Sequence, residues 1–286
     1  MSERVFIIGP GHVGRGLFRA FRASGVEMVG LHGRRPSAVA TSTGSLPGSM
    51  SSANVIIVAV RDPQIDDAVK ELSDAAGSGR MARGAVVLHT SAIAEPAGLR
   101  ALSEAGFATG TFHPLIPFSD PETAVGLLKR GWVGIDGDNG ARNASRRLAG
   151  HLGARTLDIP AGGKPAYHAA AVIASNFPVV LASVAGHLLK GIGVTEASAF
   201  HAVESLISGA VANMRETLPD DALTGPVMRG DAETVGKHIR ALRPHRDAAE
   251  VYRVLSAAAV EIAQRRGVDP KKLAALAGML RPVEDN

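Results

Sequence analysis

The sequence predicts an α/β domain built on a doubly wound, mostly parallel sheet, followed by an all-α domain. Three observations carry this. Across residues 1–160 short, almost wholly apolar runs alternate with amphipathic stretches, the pattern of strands buried on both faces beneath helices. The first run leads into a glycine-rich turn, Gly9-Pro10-Gly11-His12-Val13-Gly14. After Pro160 strand signals cease and long helical patterns follow.

In chain order, residues 5–8, 27–31, 54–60, 85–88 and 108–112 read as strands, being short and rich in β-branched residues. Residues 13–23, 64–72 and 96–105 read as the helices that separate most of them. Residues 41–52 are ambiguous and leave room for a short strand. A strand at 132–135, a helix near 141–152 and a strand at 154–159 extend the alternation. Helices are then expected at 163–190, 196–217, 231–242, 247–266 and 271–280, with Asp231 as the N-cap of the third. Pro160-Ala161-Gly162-Gly163 is turn chemistry. It places the boundary between a domain at 1–160 and a second at 161–286, which is expected to carry the substrate site and dimer contacts.

Composition narrows the function. The chain has 286 residues, 45% of them hydrophobic, enough for a full core. Its formal charge of +4 and sequence pI of about 9.7 invite a nucleic-acid reading. The basic residues, however, are scattered among 27 acids with no Lys/Arg block or interleaved aromatics. A protein that favours anionic small ligands fits the balance as well, and no nucleic-acid partner is expected. There are no cysteines, which excludes disulfides, thiolate nucleophiles and Cys-type zinc sites; no metal site is expected. The N-terminus runs straight into an apolar strand without a basic region or cleavage site, so a cytoplasmic protein is expected. The most apolar stretch, 168–189, contains Asn176, Pro178 and two histidines. It reads as a buried helix rather than a membrane span.

The turn at Gly9, Gly11 and Gly14 has the spacing of the dinucleotide fingerprint of a Rossmann domain, and it sits where that fingerprint must, between an apolar strand and an amphipathic helix. The first glycine permits the tight turn, the second lets a pyrophosphate approach the backbone, and the third lets helix and strand pack closely. His12 and Val13 lie inside the turn and belong to the same candidate site. The second strand ends in Leu31-His32-Gly33-Arg34-Arg35. NAD enzymes usually place an acid there for the ribose hydroxyls. Here two guanidiniums stand where a 2′-phosphate would lie, so NADP is the expected cofactor in preference to NAD. The competing reading of Arg34 and Arg35 is a solvated basic loop.

Several stretches, GPGHVG, VIIVAVRDPQI, FHPLIPF, KPAYHAAAVIASN and LTGPVMRGDAET, together resemble a bacterial two-domain family. That family joins a Rossmann-like NADP-binding domain to a helical C-terminal domain of unknown function, within the 6-phosphogluconate dehydrogenase and β-hydroxyacid dehydrogenase-like superfamily. The resemblance implies an oxidoreductase and adds Val60 and Arg61 to the cofactor-binding candidates. It matches Ser91, in His89-Thr90-Ser91-Ala92-Ile93, to a hydroxyl that contacts the substrate carboxylate in β-hydroxyacid dehydrogenases; a helix N-cap explains Ser91 equally well. His113-Pro114 is similar to the His-Pro of prephenate dehydrogenases, although the remainder of that motif is absent. The competing reading is a histidine hydrogen-bonded in a turn. Lys164 falls on the catalytic lysine of β-hydroxyacid dehydrogenases, and His168 stands where that family has asparagine.

Lys164, His168 and His113 are therefore the candidate catalytic residues, with Ser91 and Asn176 as candidate substrate-binding residues. Lys164 and His168, four apart on a helix, are neighbours. An ammonium beside an imidazole would keep the imidazole neutral and lower the lysine's own pKa. The bland alternative is a solvated lysine and a satisfied core histidine. Two functions stay open: an NADP-dependent oxidoreductase acting on a small, anionic hydroxy/keto or imine substrate, and an NADP-binding sensor or scaffold without turnover. The long apolar helix predicts a homodimer.

Overall fold

The computed structural model describes residues 2–118 and 120–281. The chain divides into two compact units, residues 1–175 and 176–286.

In the first unit the described residues form an eight-stranded sheet: β1 (Arg4–Ile8), β2 (Glu27–Gly33), β3 (Ser42–Thr43), β4 (Val55–Val58), β5 (Val86–His89), β6 (Ala108–Pro114), β7 (Trp132–Gly137) and β8 (Arg155–Asp158). The strand order is β3-β2-β1-β4-β5-β6-β7-β8, the doubly wound order with an added edge. The ambiguous 41–52 segment holds both a two-residue strand, β3, and a 3-10 turn at Gly48–Ser52. Five helices precede the long one that closes the unit: α1 (His12–Ala23), α2 (Ile65–Gly77), α3 (Arg100–Glu104), α4 (Ala124–Leu128) and α5 (Asn139–Leu152), counted among the described residues.

The period of two along each strand sends alternate residues to opposite faces. Val5, Ile7, Ile57, Leu88 and Phe112 join a core with Leu17 and Phe21 of α1 and Leu148 of α5. Phe6, Ile8, Ile56, Val58 and Val87 join the opposite core with Val69 and Leu72 of α2 and Leu102 of α3. All the pairings are parallel except β6–β7, where Phe112 lies opposite Ile135 and His113 opposite Gly134. A parallel neighbour needs a crossover to the far edge. The 115–131 link carries only the short α4, which packs on α1: a Cβ on Gly16 would lie 3.0 Å from that of Ala124. The chain re-enters the sheet at the edge it left, and β7 runs antiparallel to β6.

The long helix α6 (Lys164–Gly191) starts in the first unit and ends in the second. The second unit continues with α7 (Glu196–Glu216), α8 (Pro219–Ala222), α9 (Ala232–Leu242), α10 (Arg246–Arg265) and α11 (Pro270–Met279). Asp231 caps α9 as expected, accepting the Thr234 N–H at 3.0 Å. Val227, Val235, Ala263, Leu273, Leu276 and Leu280 make this unit's small core. Secondary structure changes character near Pro160, where the sequence placed the boundary. The compact units divide later, at Ser175/Asn176, because the first turns of α6 are fastened to the sheet.

One expectation needs correcting. The 168–189 stretch is helical but is not buried within the chain: Ile173, Phe177, Val179 and Val180 are about half or more exposed. Apolar composition demands a cover for such a helix but does not say that the same chain supplies it. By length and composition α6 is also long and apolar enough to cross a membrane.

Candidate cofactor and active site

The strand order reverses direction at β1, between β2 and β4, and open α/β sheets bind ligands at the carboxyl ends of strands at such a switch point. The glycine turn sits there. Gly9 has φ +111°, and a Cβ on it would lie 2.4 Å from the Ala59 carbonyl oxygen. A Cβ on Gly14 would lie 1.9 Å from the Gly9 carbonyl oxygen, whereas one on Gly11 would meet open space. Gly9 and Gly14 thus serve the turn and the packing, and Gly11 faces the opening. Gly11 is also the N-cap of α1, which has no side-chain cap and no acid in its first turn. Its first amides and the positive end of its dipole are available to an anion.

Two cavities meet at this point. One, of about 440 Å³, runs from Gly9 and Gly11 past Gly33, Arg34 and Arg35 to Glu71. The other, of about 370 Å³, is lined by Gly11, His12, Val13, Thr90, Ser91 and His168. Ala59, Val60 and Arg61 line both. Of the expected cofactor residues, only Gly14 is absent from these walls, being buried under the turn. His12 Nδ1 also lies 3.1 Å from the Phe118 carbonyl oxygen. Arg34 is not a free cation: Nη1 reaches Asp67 at 3.1 Å and Nη2 reaches Glu71 at 3.2 Å.

Strand alternation assembles the chemical groups. His89, Thr111, His113, Gly134 and Asp136 have the opposite parity to Leu88, Phe112 and Ile135, so they share the sheet face that carries α2 and α3. The start of α6 sits over them. Lys164 is 1% exposed, and its Nζ donates to the Ser91 carbonyl oxygen at 2.8 Å. Tyr167 Oη lies 2.6 Å from His113 Nδ1, with the rings edge-on. Gly134 makes room for this phenol, since a Cβ there would lie 2.3 Å from Tyr167 Oη. Burial pushes the phenol's pKa up, so it stays protonated and donates to His113 Nδ1, which leaves the His113 proton on Nε2.

Burial also lowers Lys164 to a pKa of about 8, against the opposing pull of Asp136, Glu95 and Asp62. The expectation that His168 would lower it is corrected: desolvation is the dominant cause. The rings on which the Lys164 ammonium acts are His113 and His89, held down to about 4 and about 3, in both cases by burial first and Lys164 second.

A family model described as a domain of unknown function, DUF2520, matches residues 132–279, more than half of the chain, from β7 to α11. The chain belongs to the DUF2520 family. Its architecture, a Rossmann-like sheet domain followed by an all-helical one, is that of the two-domain family the sequence resembled. No curated protein matches this DUF2520 chain. Among solved structures it is similar to protein TM1727 of Thermotoga maritima, at 22% identity and a TM-score of 0.72, covering 92% of this chain and 99% of that one. It is also similar to a Plasmodium falciparum pyrroline carboxylate reductase with NADP bound, at 12% identity and a TM-score of 0.62, covering 96% and 98%. A third is an imine reductase from a Pseudomonas species, at 18% identity and a TM-score of 0.62, covering 98% and 100%. At these identities the likeness is one of fold.

In this DUF2520 chain the predicted residues do not all meet the cavity in the same way. His168 lines it, and its Nδ1 is buried with no partner among the described residues. Ser91 also lines it, but its Oγ accepts the Ile93 and Ala94 N–H groups at 3.2 and 2.9 Å. These bonds close a turn and are not a helix cap, since the next helical turn, Pro96–Leu99, has Glu95 at its N-cap. Lys164 and His113 do not line the cavity; Lys164 reaches the Ser91 carbonyl, and His113 pairs with Tyr167. Asn176 begins the second unit, farther along α6. Sequence reasoning missed His89, which is fully buried: its Nδ1 accepts the Ser91 N–H at 3.2 Å, and its Nε2 has no partner among the described residues. It also missed Tyr167 and Asp136. A histidine closing an apolar strand and a glycine inside β7 were the available signals.

Proposed function

We propose that the chain is an NADP-dependent oxidoreductase acting on a small, anionic hydroxy/keto or imine substrate. One observation supports this above the others. Two cavities join at the uncapped start of α1, one reaching the basic loop after β2 and the other reaching His168 and Ser91, whose carbonyl holds the buried Lys164. Their sizes are those of small-molecule sites. A bound nicotinamide supplies or takes the hydride. The chain binds and orients it: Gly11 admits the pyrophosphate to the α1 amides, the basic loop meets the 2′-phosphate, and Val60 and Arg61 span both halves.

For the substrate, His168 is the ring that meets the reacting group, with the Ser91 hydroxyl hydrogen as an anchoring donor. Lys164 Nζ, with its pKa at about 8, is charged at neutral pH and gives up its proton at small cost. It adds positive potential beneath an anionic substrate. His113, neutral and oriented by Tyr167, offers its Nε2–H. Asn176 is proposed as a further substrate contact.

The reading is tested by NADPH oxidation with panels of keto acids, imines and aldehydes, followed by His168→Ala and Lys164→Met in the reaction found. Both variants should lower kcat at least about tenfold while NADPH affinity holds, the usual scale for an acid–base group. A second reading, an NADP-binding sensor without turnover, is favoured by the engagement of Lys164 Nζ and Ser91 Oγ in the loop itself. NADPH binding with no turnover on any panel would support it. We also propose that the exposed apolar sides of α6 and α7 pair in a homodimer, read by light scattering at micromolar concentration.

A further inference from the structure

We propose that Arg35, rather than Arg34, reads the 2′-phosphate, and that Asp67 and Glu71 set how strongly the chain prefers the phosphorylated dinucleotide. The inference rests on the dinucleotide-binding reading above and concerns its specificity.

The charges in the cavity carry it. Gln64, the N-cap of α2, lines the cavity wall together with Ala68 and Glu71 of that helix. Asp67 lies one turn before Glu71 on that helix. These two carboxylates each take one terminal nitrogen of the Arg34 guanidinium, at 3.1 and 3.2 Å. Arg35, next in the chain and lining the same cavity, makes no hydrogen bond or ion pair among the described residues and is exposed. Neighbouring cations on one loop are therefore in different states: the Arg34 charge is offset by two acids, and the Arg35 charge is not.

A phosphate monoester brings close to two negative charges. Beside Arg34 it meets Asp67 and Glu71 and must displace or outlast them. Beside Arg35 it meets a guanidinium with all five donors open. Glu71 also acts on the alternative ligand, because a carboxylate on the cavity wall is the group that accepts from free ribose hydroxyls. The pocket thus holds a determinant for each cofactor, and the two carboxylates blunt the preference that the arginine pair alone would give.

The experiment titrates NADPH, NADH, 2′,5′-ADP and 5′-AMP against the full chain and three variants: Arg34→Ala, Arg35→Ala and Asp67→Asn/Glu71→Gln. The readout is the ratio of phosphorylated to unphosphorylated affinity, with thermal unfolding as the check on folding. Arg35→Ala should cut the ratio about tenfold, the loss of a charge-assisted contact. Arg34→Ala should cut it less than about threefold, because an exposed pair already offset by acids contributes little. The double carboxamide should raise it about threefold to tenfold. If Arg34→Ala abolishes the ratio while Arg35→Ala leaves it, or if the carboxamides leave it unchanged or lower, the proposal is overturned and the cofactor site stands. A wild-type chain that binds none of the four ligands overturns both.

Discussion

The two units of this chain treat apolar surface in opposite ways. Residues 1–175 cover both faces of a sheet, so that side chains such as Phe6, Phe21 and Phe112 are wholly buried. Residues 176–286 bury a small cluster around α9–α11 and leave Phe177, Val179, Leu206 and Leu218 in the open. Of the 21 residues of α7, only Ala199 and Val203 are buried. The first unit builds a core on each face of its sheet. The second leaves large apolar side chains of α6 and α7 exposed.

The largest effect should come from breaking the turn of the first unit. In Gly14→Val the new side chain would be driven into the Gly9 carbonyl oxygen, and backbone cannot give way as a flexible side chain can. A loss of at least about 3 kcal/mol in chemical denaturation is expected, together with loss of nucleotide binding. Next comes a matched pair of truncations. Phe112→Ala should cost about 3–5 kcal/mol. Leu206→Ala should cost less than about 0.5 kcal/mol at low protein concentration. A comparable cost for Leu206 in a demonstrated monomer would end the contrast between the units.

The pH response should also belong to the first unit. His89 and His113 have folded pKa values of about 3 and about 4, below their ordinary 6.5. The unfolded chain therefore binds more protons between those limits, and stability falls as pH drops from 6.5 toward 4, by at most about 1.4 kcal/mol per pH unit for each ring. His89→Phe should flatten that slope in urea melts taken across the window. Lys164, lowered from 10.5 to about 8, acts at the other end. Its charged form is penalised on folding at all pH values below 8, and the penalty is relieved as pH rises from 8 to 10.5. The stability of Lys164→Met relative to wild type should accordingly decline across that range; a constant difference would show that the ammonium is not desolvated. The smallest expected effect in a dilute monomer is Val180→Glu on the exposed side of α6. It should hardly move the unfolding midpoint, yet it should abolish any dependence of that midpoint on protein concentration.

The strands and helices were largely legible because periodicity is local: apolar runs marked β1, β4 and β5, and turn glycines marked Gly9 and Gly14. Strand direction was not legible, since a period of two is the same for either sense, and the 115–131 link is as long as the 138–154 link that joins the parallel pair β7 and β8. The glycine turn was legible as local chemistry, and Gly9 adopts the positive φ it predicts. The state of Arg34 was not, because its partners Asp67 and Glu71 lie on a different helix. His113 and Lys164 were visible as residues, whereas their roles depend on groups that the chain brings from afar. Tyr167 meets His113 only because Gly134 has no side chain, and Lys164 is buried where its Nζ meets the Ser91 carbonyl, far away in the chain.

Ser91 is held by both of its main-chain polar groups, the N–H on the His89 ring and the carbonyl on Lys164 Nζ. Its amide hydrogen is therefore not shielded by the sheet ladder, which ends one residue before it with Thr90 N–H on the Val58 carbonyl. In an isotope-exchange measurement that single amide should behave as a titration probe. Its acceptor is a lone pair that a proton can occupy, so acidification should release it to exchange with solvent deuterium while the amide of Thr90 remains locked.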